Sequence, residues 1–272
     1  MTPPVMMQPT AALVFDQLAK EYDDVFTRSM IGRAQRDAVW SAIVSTFQKG
    51  DRILELNCGT GEDALFLARN GMSVTACDAS KKMIQTASNR LYAEAPDTSI
   101  RFNLLPTERI SELGSTTKFD GAFSNFSGLN CVADLGQTAR DLSRLLPANA
   151  PILICLSTRF CIWEILWFLF HGKFRKAFRR CSGRTIAKIG GCGVDVYYPT
   201  VRQLKKLFSP YFVIRKCMGI GVTVPPSYVE TLICNYPTVL RVLRAIDSKI
   251  YTLPAFRVLG DHMLLQFERV QL

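Results

Sequence analysis

The chain of 272 residues has only two His, and its nine Cys form no C-x-x-C pair. Cys58, Cys77, Cys131, Cys155, Cys161, Cys181, Cys192, Cys217 and Cys234 are scattered and odd in number. A zinc centre needs clustered thiolates or imidazoles, so no metal is expected. Cys77, Cys155 and Cys161 lie in apolar runs, where a thiol behaves as a small hydrophobe, and the set reads as reduced thiols of a cytoplasmic protein. The first Lys is Lys20, so there is no basic stretch of the kind that opens a secretory signal, and none is expected. No repeat of solenoid or propeller length is present, and 17 Gly and 13 Pro without a period exclude collagen-like and low-complexity classes.

What the chain has in quantity is apolar residues, 48% of the total, with 17 Phe, 8 Tyr and 3 Trp. That excludes intrinsic disorder and allows one large core. Net charge is +10, unevenly placed: residues 1–150 carry 15 Lys+Arg against 17 Asp+Glu, and residues 151–272 carry 18 against 6. A half with a balance of +12 faces something acidic, a phosphate backbone or an anionic lipid surface.

Residues 1–11 read as a loose tail and residues 33–48 as a helix, the two together forming an N-terminal helical cap over 1–50. Short apolar runs then alternate with helical segments: strand 52–56, helix 62–69, strand 73–78, helix 80–92, strand 99–105, strand 119–124, helix 134–146 and strand 152–157. This rhythm predicts an α/β fold over 51–272, a doubly wound, mostly parallel sheet. It breaks at an insertion over about 158–192, ending in Gly190, Gly191 and Gly193. A helix over 201–208 and a strand over 212–217 follow. Next comes a proline-bearing second insertion over about 224–256 with a helix at 238–250, and a final strand at 262–269.

The first strand runs into Asn57-Cys58-Gly59-Thr60-Gly61, followed by a helix. Gly59 and Gly61 let main chain approach a ligand, and the helix N-terminus offers free N–H groups. Dinucleotide loops carry a third glycine; here Ala64 stands in its place, and Glu62 and Asp63 oppose a pyrophosphate while suiting a cation. Glu55 adds negative charge within the strand. Asp78 ends the second strand, placed to accept from ribose hydroxyls, with Ala79 beside it.

These residues, with the stretch Phe119-Asp120-Gly121-Ala122-Phe123-Ser124-Asn125-Phe126, resemble the class I S-adenosylmethionine-dependent methyltransferases, and look closest to their small-molecule branch of quinone-biosynthesis type. The resemblance covers residues 15–157 and implies a Rossmann-like seven-stranded sheet whose last strand is antiparallel. It implies S-adenosylmethionine as cofactor, held by Glu55, Asn57, Cys58, Gly59, Gly61, Asp78, Ala79, Asn103 and Ser124. Asn103 stands near the point where many relatives place an Asp against the adenine amine. Tyr22, in Tyr22-Asp23-Asp24-Val25-Phe26, is similar to the segment that many relatives fold over the cofactor. Methyl transfer needs placement more than acid–base catalysis. Tyr22, Asn125 and His171 are the candidates for acting on the acceptor, with ordinary packing as the rival reading of Tyr22 and a surface position that of His171.

Residues 160–170 are too short to span a bilayer, which takes about 20 apolar residues. Taken as one helix, 163–180 aligns Trp163, Trp167, Phe170, Phe174 and Phe178 on a stripe and sets Lys173, Arg175, Lys176, Arg179 and Arg180 around it. Such a helix lies in a membrane interface or forms a lid over a pocket, and both readings suit a small lipophilic acceptor met at the inner face of a membrane. The alternatives are an RNA methyltransferase using the basic half and a non-catalytic peripheral membrane protein on the same fold. No RNA-binding motif supports the first.

Overall fold

The computed structural model describes residues 11–114, 118–189 and 192–271. Most of the expected tail, with Gly190 and Gly191, lies outside the described residues. α1 (Ala11–Leu18) and α2 (Met30–Thr46) lead into β1 (Arg52–Leu56), α3 (Glu62–Arg69), β2 (Ser73–Asp78), α4 (Lys81–Glu94), β3 (Ile100–Leu104), β4 (Gly121–Ser124), α5 (Leu135–Leu145) and β5 (Pro151–Ser157). The insertion holds α6 (Ile162–Phe170), α7 (Phe174–Ala177) and the hairpin β6 (Arg184–Ile189)–β7 (Cys192–Tyr197). α8 (Val201–Phe208), β8 (Phe212–Ile220), α9 (Glu230–Ile233), α10 (Pro237–Ile250) and β9 (His262–Arg269) complete the chain.

Seven strands form one sheet in the order β3-β2-β1-β4-β5-β9-β8. β1 to β5 are parallel, and β9 runs antiparallel to β5 and β8, as the Rossmann-like expectation required. Side chains alternate across a strand, so Ile53, Val74, Phe123, Leu153 and Leu264 meet α2 and α3 on one face. Leu54, Leu56, Ile152, Leu265 and Phe267 meet α5 and α8 on the other. Covering both faces is what lets β5 be apolar at nearly every position.

The second insertion is fastened to α2. Both Glu230 oxygens accept main-chain N–H groups of its first turn, from Met30 at 2.6 Å and Ile31 at 3.0 Å, where the helix dipole favours an anion. Ser29 caps the same turn through Gly32 N–H at 2.9 Å.

The first insertion corrects the expectation of one helix over 163–180. α6 stops at Phe170 because Gly172 adopts φ +65°, a conformation that costs glycine little. Its N–H then donates to Leu169 O, and the N–H of Lys173 to Phe168 O. Trp163 and Trp167 are half-buried, while Phe170, Phe174 and Phe178 are 93%, 65% and 51% exposed. The basic arc is divided as well. Arg180 is buried and grips Glu164 at 2.7 Å and Asp261 at 2.9 Å, Arg179 pairs with Glu164 at 2.7 Å, and Arg184 pairs with Asp195 at 2.9 Å. Lys173, Arg175 and Lys176 are left exposed.

Removing one partner of a buried ion pair leaves the other charge uncompensated, at a cost of about 3–5 kcal/mol. Glu164→Ala is therefore expected to lower the urea-unfolding free energy by about that amount. Asp24→Ala, which breaks the exposed Asp24–Arg28 pair, is expected to cost under about 1 kcal/mol.

Candidate active site

A cleft of about 300 Å³ opens at the carboxyl ends of β1, β2 and β4, lined by Asn57, Cys58, Gly59, Asp78 and Ala79 among others. Parallel pairing sets its floor. Leu56 lies beside Cys77 and Ser124, so the loop after β1 emerges level with Asp78 and Asn125. Asn57 adopts φ +55°, a conformation asparagine tolerates better than most residues with a Cβ. Gly59 has φ +54° and nothing within 4 Å of where a Cβ would project, so the loop presents bare main chain to the cleft. Gly61, at φ +78°, answers to packing as well, since a Cβ there would come within 2.8 Å of Ala87 on α4.

Asp78 ties the loop down. One carboxylate oxygen accepts Gly59 N–H at 2.9 Å and the other accepts Ser80 N–H at 2.8 Å. Burial raises its pKa, opposed by these bonds. Glu55 is 1% exposed, its Oε2 has no partner, and burial holds its carboxyl well above the usual carboxylate range, with Asp63 and Asp78 adding to the shift. Ser124 Oγ is likewise buried and unpartnered. Burial pushes the Cys58 thiol far up, so it stays a neutral packing group.

The pair Glu62 and Asp63 does not face the cleft as free negative charge. Glu62 is bound to Arg33 and Arg90, each at 3.1 Å. Asp63 accepts from Arg36 Nη1 at 2.5 Å, Trp40 Nε1 at 2.7 Å and Asn125 Nδ2 at 3.0 Å. Their charge is met by arginines from α2 and α4, which leaves Asp78 and Glu108 as the lining acids without an ion pair among the described residues; Glu55, 1% exposed, is not part of the lining.

Tyr22 and Asn125 reach the cleft. Burial, foremost, pushes the Tyr22 phenol up to about 12, so at neutral pH it is a hydroxyl donor and not a base. Asn125 donates to Asp63, and its Oδ1 accepts Phe126 N–H at 2.9 Å, so it acts as a strut. His171 lies elsewhere. It caps the C-terminus of α6, exposed, with Nδ1 2.7 Å from Trp167 O. Asn103 stands on β3 beside Cys77; past the end of that strand, Thr107 and Glu108 reach the cleft wall.

Sequence reasoning missed Arg36 and Val196, which line the cleft together with Phe126 from the end of the fourth strand. Arg36 lies over the Phe126 ring at 4.9 Å, and Phe126 meets His262 edge-on at 5.3 Å. Arg36 was findable: it falls at helical spacing with Val39 and Ile43, and a charge on an apolar face calls for a buried partner. Val196 carried no such signal, because it arrives on the hairpin.

The residues present fit an S-adenosyl ligand. They offer a bare-backbone cradle at Gly59 and a carboxylate at Asp78 in the lining, whereas Glu55, Asn103 and Ser124, also expected to hold it, are not lining residues, Glu55 and Ser124 being buried with unpartnered oxygens.

Residues 53–149 match the family model described as "Methyltransferase domain". A "2-phytyl-1,4-naphtoquinone methyltransferase" of a Nostoc species is 31% identical over 147 residues, 52% of this chain and 62% of that protein, so the match spans about three fifths of the relative's length. Among solved structures, the [4+2]-cyclase SpnF has a TM-score of 0.64 at 16% identity, covering 97% of this chain and 98% of its own. An S-adenosylmethionine-dependent methyltransferase from Clostridium acetobutylicum has a TM-score of 0.60 at 12% identity, covering 94% and 99%.

A group whose pKa is raised on folding contributes stability that is complete below its unfolded value and is lost as pH rises through the folded one. As pH rises above the ordinary glutamate value near 4.3, the unliganded protein is expected to lose stability through Glu55. Glu55→Gln is expected to flatten that slope, as measured by urea unfolding at several pH values.

Proposed function

We propose, from the premise that the chain carries a class I S-adenosylmethionine-dependent methyltransferase domain, that it methylates a small lipophilic acceptor collected at an anionic membrane surface. S-adenosylmethionine, the cofactor of this domain, supplies when bound a methyl group on a sulfonium. The observation that carries the reading is the loop from Asn57 to Gly61, open at Gly59 and flanked by the carboxylates of Asp78 and Glu55. Asp78 accepts from vicinal hydroxyls while its bonds to Gly59 and Ser80 hold it in place. Glu55 faces an ammonium and gives up its proton to do so. Arg36, Phe126 and Tyr22 line the cleft, and orientation is the main contribution to rate, worth roughly 7–11 kcal/mol when reacting atoms are well aligned.

Two observations support a lipophilic acceptor. The curated relatives include proteins named for methylating a phytyl naphthoquinone and demethylmenaquinone. The insertion also presents Phe170 and Phe174 to solvent beside Lys173, Arg175 and Lys176, an aromatic-basic surface of the kind that seats in an anionic lipid interface. Each such cation near the surface adds about 1 kcal/mol of attraction.

Calorimetric titration tests the first part. S-adenosylmethionine and S-adenosylhomocysteine are expected to bind one to one, and Asp78→Ala to weaken both by roughly 10–100-fold, the worth of charge-assisted hydrogen bonds. No heat with either ligand would overturn the assignment. Vesicle flotation tests the second part. Binding is expected with phosphatidylglycerol vesicles and not with phosphatidylcholine alone, and is lost when Phe170 and Phe174 are both changed to Asp. Salt-steep RNA binding without flotation would favour a nucleic-acid acceptor instead.

A further inference from the structure

A second cavity, of about 580 Å³, lies away from the cofactor cleft, between α2 and α10 over the face of β8 and β9. Small side chains of α2 make room for it, Ala34, Ala38, Ser41, Ala42 and Ser45, at helical spacing along one face, with Gln35 and Asp37 beside them. Its floor is apolar, formed by Met218 and Ile220 of β8. Arg244 of α10 and Asp37 of α2, 2.8 Å apart, join its two walls.

The two ends of this trough differ in chemistry. At the inner end Gln35 is 1% exposed; its amide nitrogen donates to Pro225 O at 3.2 Å, and its Oε1 accepts from nothing. A buried acceptor without a donor is costly, and a ligand N–H or O–H recovers that cost. Asp247 lies toward the same end, its oxygens accepting from Thr223 and Val224, and adds a field that favours a donor. At the other end stands Lys216. Its neighbour Arg215 pairs with Glu268, whereas no ion pair joins Lys216 to a carboxylate among the described residues. Thr46 and Thr252 place hydroxyls in the lining with it. From Lys216 to Ile220 the strand rises about 13 Å. Volumes of about 300–1,000 Å³ with an apolar wall and a few placed polar groups are those of small-molecule sites.

We infer that this trough binds an anionic amphiphile. Its carboxylate lies at Lys216, its apolar body on Met218 and Ile220, and a hydrogen-bond donor at its far end meets Gln35 Oε1. A saturated chain of about ten carbons matches the 13 Å span. The site is independent of methyl transfer and stands whether or not the cofactor reading does.

The probe is ω-hydroxydecanoate, titrated by calorimetry into the full chain. It is expected to bind one to one, with decanoate, which lacks the donor, roughly tenfold weaker. Lys216→Glu is expected to weaken binding at least tenfold. Ala38→Trp, at an exposed wall position, fills the trough and is expected to abolish binding while leaving the melting temperature and S-adenosylhomocysteine affinity unchanged. Four results would overturn the inference: no binding of ω-hydroxydecanoate at millimolar concentration, equal affinity for decanoate, binding that survives Ala38→Trp, or binding lost on Phe170→Asp instead, which would place the probe on α6.

Discussion

One carboxylate organises the cofactor cleft. Asp78 closes β2 and takes the N–H groups of Gly59 and Ser80, so the turn after β1 and the start of α4 are held by the same side chain. It can do this only because β1 and β2 pair in parallel with Leu56 beside Cys77. A slip of one residue would turn the acid to the opposite face of the sheet and release the loop. The apolar pattern of the two strands, buried on both faces, is what forbids the slip. Burial lifts the acid's pKa, and the two main-chain donors offset part of that cost.

Around that point the molecule balances its charges locally. Asp63, Glu62 and Asp23 each meet an arginine from another helix: Arg36 and Arg33 from α2, and Arg90 from α4. The result is a cradle whose outer acids are neutralised, leaving Glu55 as the deeply buried acid without a cation in direct contact. The same habit divides the insertion, where Arg179, Arg180 and Arg184 hold it together and leave the three cations of 173–176 outside.

Much of this was legible in the sequence. The strands at 52–56 and 73–78, and the helices at 62–69 and 201–208, fall where periodicity and glycine placed them, because each is a short element with strong punctuation. Asp78 and the loop were readable for the same reason: their partners are set by strand pairing, which local pattern encodes. The insertion was not. Its aromatic and basic residues suit one long helix, and only Gly172 signals the break. The pairing of Arg180 with Asp261, 81 residues away, carries no local mark. The hairpin's contribution of Val196 to the cleft, and the placing of His171 outside it, likewise depend on tertiary packing that periodicity does not report.

The clamp formed by Arg180 has a consequence for how such a protein can diverge. By holding Glu164 of the insertion and Asp261 at the head of β9, it makes a peripheral module share its foundation with the edge-on ring pair of Phe126 and His262. A module rooted in that way is not an interchangeable surface ornament. Grafting another sequence between β5 and α8 would remove Arg180 along with Glu164 and leave the buried Asp261 carboxylate, next to His262, without its guanidinium.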